Sequence, residues 1–221
     1  MSPDRAAADP EASSAQWMTW LTTEHYNLQT QRAATIGEAN GRASVFLGAL
    51  SAGLIALGFA TTGHASPGLV TFQVLVLSAL ALLGIITFLR CVQIAVDDWD
   101  YADRIQLVRG IYAELMPGLA LRLRPMARQE QSTLMLHSTL NRLQALLTVA
   151  GSLGVITSIV IGGDAGVLSY GVHPSIAVAI AVGVGVGALS GFSGLRFQIS
   201  RWQDAEKARQ PVVPQREETR S

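Results

Sequence analysis

Four stretches of this chain lack charge altogether: no Asp, Glu, Lys or Arg occurs in residues 43–62, 68–89, 143–163 or 175–195. Over the whole sequence 14% of residues are charged and 49% hydrophobic, a balance that excludes an ordinary soluble domain. Cysteine is nearly missing too. Cys91 stands alone among 221 residues, so neither an intramolecular disulfide nor a four-cysteine metal site exists. Lys207 is the only lysine, and every other basic residue is arginine. Together with the excess of Ala, Gly and Val, this bias points to a GC-rich bacterial genome. Formal net charge is zero, so no bulk attraction to nucleic acid arises, and none is expected as a partner.

What the chain does have is apolar length. The four charge-free blocks hold 20, 22, 21 and 21 residues, and at about 1.5 Å rise per residue each covers the roughly 30 Å of a hydrocarbon core. The expected fold class is an all-α membrane protein, with four transmembrane helices arranged as two antiparallel hairpins and a helical cytoplasmic layer. The first block follows a polar stretch containing Asp4, Asp9, Glu11, Glu24 and Glu38, so no signal peptide is seen and the first span is retained.

Orientation follows from the arginines. The connections 63–67 and 164–174 contain no basic residue, whereas Arg42, Arg90, Arg142 and Arg196 each mark the other end of a span. The positive-inside rule then puts both termini in the cytoplasm of a cell with this protein in its plasma membrane. The resulting segments are a disordered terminus (1–12), a cytoplasmic amphipathic helix (13–42), a first hairpin (43–89), a cytoplasmic helical segment (90–142), a second hairpin (143–195) and a helix end with a disordered tail (196–221).

Two amphipathic seams are legible outside the spans. Ile94, Asp98, Tyr101, Ile105, Val108, Tyr112 and Leu115 recur at spacings of four and three, as do Leu136, Leu140, Leu143, Leu147 and Ala150. The preferred expectation is that these seams bury one another in an antiparallel stalk. The alternative is that each lies on the N-terminal helix, whose Trp17, Leu21 and Leu28 make it partly amphipathic.

Within the spans, small residues form rows. Gly183, Gly187 and Gly191 lie four apart on one face, with Ala179 extending the row, and a face without side chains admits close approach of another helix. Ser44, Gly48, Ala52 and Ala56 form a similar row in the first span and offer an intramolecular partner, while packing between copies is the other use of such a row. The run from Gly183 to Ala188 superficially matches a dinucleotide-binding fingerprint but lacks the preceding strand.

Polar clusters are sparse. Asp97, Asp98, Asp100 and Asp103 could gather a divalent cation, yet charges opposite an apolar seam are what a solvated helix face requires. Arg122, Arg124 and Arg128 could receive an anionic headgroup or nucleotide phosphate. His64 and His173 fall in the two outer connections. No catalytic constellation, zinc spacing or phosphate-binding loop occurs, so no enzyme, cofactor or metal is expected. The blocks contain no ionisable residue, which argues against a proton-coupled carrier.

The segment 17–58, with Trp-Leu-Thr-Thr-Glu-His-Tyr and Glu-Ala-Asn-Gly-Arg-Ala, and the segment 87–119, with Phe-Leu-Arg-Cys-Val-Gln and Ile-Tyr-Ala-Glu-Leu-Met-Pro, resemble uncharacterised actinobacterial four-span integral membrane proteins. That resemblance implies a polytopic membrane fold and no activity. Glu38, Asn40, Arg42 and Ala43 are faintly similar to the juncture in membrane-spanning effectors of cyclic-nucleotide defence systems, although four spans and no nucleotide-binding domain depart from that pattern. The expected function is an assembly or interaction protein, a scaffold or sensor, whose partners are the lipid bilayer, further copies of itself and a cytosolic protein. The alternative is an oligomeric pore or membrane-perturbing effector gated by an anionic ligand.

Overall fold

The structure, a computed structural model, describes residues 10–61, 67–115 and 148–208. Within them the chain is all-helical and has no strand. Four helices follow one another: α1 (Pro10–Ala60), α2 (Pro67–Leu115), α3 (Val149–Val172) and α4 (Ile176–Ala208). α1 and α2 have 51 and 49 residues, lengths of about 75 Å at 1.5 Å per residue. Each joins a charged half to an apolar half without a break, charged first in α1 and apolar first in α2, because nothing between Gly41 and Ala43, or between Leu89 and Cys91, interrupts helical hydrogen bonding.

The helix starts are written locally. Pro67 opens α2 where a missing N–H costs nothing. Thr148 caps α3, its Oγ1 accepting from the Gly151 N–H at 3.0 Å. The end of α3 departs from expectation. A span stopping at Gly163 leaves an eleven-residue connection, but α3 continues to Val172 and only residues 173–175 join it to α4. The first charge after the apolar block, Asp164, does not break a helix; Pro174, which cannot continue one, does.

Successive helices pack antiparallel. Thr22, Arg32, Glu38 and Gly53 of α1 meet Tyr112, Asp98, Arg90 and Leu80 of α2. Phe88, Gly84, Ser78 and Val70 of α2 then meet Gly154, Thr157, Asp164 and Gly171 of α3. α3 meets α4 along its length, and α1 does not approach α4. The described helices therefore form an open layer in chain order, with α1 and α4 at its edges.

Two apolar clusters hold the layer: Phe46, Phe88, Cys91, Val92, Ala150 and Leu153 at one end, and Leu80, Ala81 and Val160 towards the other. A third joins only the charged halves of α1 and α2. There Leu21 and Leu28 pack against Ile105 and Val108, flanked by Tyr101 and Tyr112. The α2 seam thus packs against α1, as the alternative reading has it. Leu21 and Leu28 stand seven residues apart on the face of α1 that continues through Ala39 and Phe46, so one helix face serves both the seam and the Phe46 cluster. The seam from Leu136 to Leu147 lies outside the described residues.

Candidate helix-packing site

The glycine row of α4 faces α3. A Cβ built on Gly183 would stand 2.9 Å from the Gly162 carbonyl oxygen, and one on Gly187 3.1 Å from that of Ser158. One on Gly191 would meet the Ser158 Oγ at 3.4 Å. The crossing is tightest at Gly162, where a Cβ would lie 2.5 Å from the Gly183 oxygen. Two helices approach this closely only where neither carries a side chain.

The partner differs from the one expected. The first-span row does not reach α4, and the complementary row is Ser158, Gly162 and Gly166 of α3. Its four-residue spacing is present in the sequence, but a span ending at Gly163 cuts the row before Gly166. Chain connectivity decides the matter, since a three-residue link forces α3 and α4 together. Beside the crossing the same lack of side chains leaves an apolar groove of about 960 Å³, bordered by Gln73, Tyr170 and Val184.

Gly48 and Ala52 occupy a different environment. A Cβ on Gly48 meets nothing within 4 Å, and Ala52 is exposed. They belong to an exposed stripe of small residues that also includes Ala34, Gly37, Gly41 and Ser44. It lies opposite the face on which Leu28, Ala39, Phe46 and Gly53 pack against α2.

Where the apolar and charged halves of the hairpin meet, Glu38 accepts from Arg42 Nε at 2.9 Å and from Arg90 Nη2 at 3.2 Å. The Arg42 hydrogen bond, reinforced by Arg90 against some desolvation, holds the Glu38 carboxyl below its ordinary value. A carboxyl depressed in the folded state adds stability that is present at neutral pH and is lost as pH falls through its folded value. The thermal midpoint of the wild type is therefore expected to drop on acidification below the usual glutamate value of about 4.3. That of Glu38→Gln should drop less in a melt series from pH 6 to pH 3. One turn further, burial pushes the Cys91 thiol up.

Gln198, which carries no signal in the sequence, is 1% exposed and donates to the Thr148 cap at 3.2 Å. It ties the end of α4 to the start of α3. Gln198→Leu keeps the volume and removes this bond, with an expected loss of about 1–2 kcal/mol in detergent unfolding.

Among the described residues no three His, Cys, Asp or Glu side chains converge as a metal site. Asp98 turns instead to Arg32 of α1, at 3.0 Å. Arg122, Arg124, Arg128 and His64 lie outside the described residues, and His173 caps the end of α3. α3 runs on past its charge-free block and so carries Asp164, eight residues before its end, whose Oδ2 accepts from Ser78 Oγ of α2 at 2.7 Å. The charge-free blocks themselves carry no ionisable group, and Asp164 stands one residue past the third of them.

All four helices are long and apolar enough to cross a membrane. Comparison with protein-family models, curated proteins and solved structures found no match.

Proposed function

We propose that this chain is a multi-pass protein of a bacterial plasma membrane that acts by assembly, bringing copies of itself together through α1 and presenting the charged half of the α1/α2 hairpin to a cytosolic partner. In this reading the helices form two membrane hairpins with both termini cytoplasmic, and no catalytic step is involved. Support for the orientation comes from the arginines. Arg42 and Arg90 share Glu38, and Phe197, next to Arg196, packs with the Cys91 cluster, so all three arginines stand at one end of the layer. Positive charge at one end of an apolar layer is what the positive-inside rule describes.

The observation that carries the assembly reading is the open stripe on α1. A helix whose bulky face is already used, and whose opposite face is lined by Gly, Ala and Ser as far as Ala52, beyond which the exposed Ile55 and Phe59 take over, suits close packing against another such helix along that small-residue stretch. The cytoplasmic part would offer Trp17, Trp20 and Tyr26, all more than half exposed. The test is the mass of the protein in nanodiscs: an oligomer for the wild type supports the reading, and a monomer at all protein concentrations ends it.

A further inference from the structure

The α3/α4 crossing leaves a groove whose floor is backbone. Gly162, Gly166, Gly183 and Gly187 form that floor, and the groove of about 960 Å³ runs over α3 from Val155 to Tyr170. At about 1.5 Å per residue its length is about 22 Å. A ligand site of this kind takes most of its contact from apolar walls and its orientation from a few polar groups. Gly163 belongs to the groove rather than to the crossing, because a Cβ there would meet nothing within 4 Å.

Two polar groups stand at one end. Val70 Cγ1 of α2 lies 3.4 Å from the place of a Cβ on Gly171 of α3. Gln73, one turn on from Val70, and Tyr170, next to Gly171, therefore come to the groove together at the end remote from the arginines, and both line it. Neither side chain has a hydrogen-bond partner among the described residues. An amide left bare against hydrocarbon is costly, so a ligand that bonds with it is favoured over a plain alkyl chain.

The donors and acceptors define the head of that ligand. Gln73 offers N–H donors and a carbonyl acceptor, and Tyr170 a hydroxyl. A head with both a hydroxyl and carbonyl oxygens satisfies them, whereas a quinone, which only accepts, leaves the Gln73 oxygen bare. No charged residue lines the groove, and the connections 63–67 and 164–174 hold no Lys or Arg. A phosphate head would find no cation here.

We propose that the groove binds a neutral diacylglycerol, its acyl chains laid along the glycine floor and its hydroxyl and ester carbonyls bonded to Gln73 and Tyr170. The site rests on the membrane reading above, and one arm of the test separates the two.

The test is photolabelling in phosphatidylcholine liposomes with a diacylglycerol that carries a diazirine in one acyl chain, read residue by residue by mass spectrometry. Label is expected on α3 and α4 along the groove. Unlabelled dioleoylglycerol should displace it at concentrations at least about fivefold lower than dioleoylphosphatidylglycerol or ubiquinone requires. Gly163→Trp fills the groove and should remove the label while leaving the SDS unfolding midpoint unchanged; Gln73→Leu should keep the label and erase the preference for dioleoylglycerol. Equal displacement by all three lipids makes the groove an ordinary lipid contact and overturns the proposal. Label that survives Gly163→Trp, or a preference that survives Gln73→Leu, overturns it as well. So does an absence of label, and if Gly163→Trp then also turns an oligomer into a monomer, the occupant is a helix of a second copy. A diazirine-bearing phosphatidylcholine supplies the last arm, at Leu189, which is 67% exposed outside the groove. If Leu189 stays unlabelled, α4 is not in lipid, and the membrane reading falls together with the site.

Discussion

Gly48→Leu is expected to leave the monomer folded and to weaken its assembly. No atom lies within 4 Å of the position a Cβ would take at residue 48, so the new side chain meets nothing inside the monomer. Thermal unfolding should stay within about 1 kcal/mol of wild type, since replacing a helical glycine is at worst neutral when the backbone is helical. Between copies the outcome is different. A leucine in a stripe of small residues holds two helix backbones apart, and overpacking of about 1–3 kcal/mol weakens association roughly tenfold or more. Mass photometry or native mass spectrometry in nanodiscs, over a range of protein-to-lipid ratios, reads the change. An unaltered oligomer for Gly48→Leu and for Ala52→Leu would place the interface elsewhere.

Gly162→Ala should do the reverse, breaking the monomer with a single methyl group. Its Cβ would lie 2.5 Å from the Gly183 oxygen and 3.1 Å from the Gly187 Cα. Both are backbone atoms that no rotamer change can remove, so α3 and α4 must separate along the crossing. The expected cost is about 2–3 kcal/mol, at the upper end for overpacking. Gly185→Ala, on the same helix as the row but with nothing within 4 Å of its Cβ, is the matched control and should change stability by less than about 1 kcal/mol. Unfolding by SDS titration separates the two. Similar midpoints for both variants would mean that the α3/α4 crossing is looser than its geometry indicates.

The contrast between these positions shows how far small-residue rows can be interpreted from sequence. Gly48 and Gly187 belong to rows of the same spacing, and nothing local says which row is buried. α4 is tied to α3 by three residues, so its row is used at home; α1 spends its opposite face on α2 and leaves its row open. The same logic governs the seams. The 94–115 periodicity correctly marks a helix face needing cover, but two candidates could cover it, and the continuous α1 helix brings Leu21 and Leu28 to Ile105 and Val108. Gln198 gave no sequence signal at all, because a glutamine past the end of an apolar block looks like any solvated residue until its helix is docked on Thr148.

Composition and spacing alone determined that the described chain would be helical with four apolar helices, because charge-free runs of about twenty residues and proline-marked ends depend only on local chemistry. Pairing was decided by the tertiary structure. Which face of each helix is covered, that Asp164 lies inside α3 against Ser78, and that α1 keeps an open face are set by connection length and by contacts between residues up to 90 positions apart. Such contacts follow from how close two backbones can come, and no periodicity within a single segment encodes that.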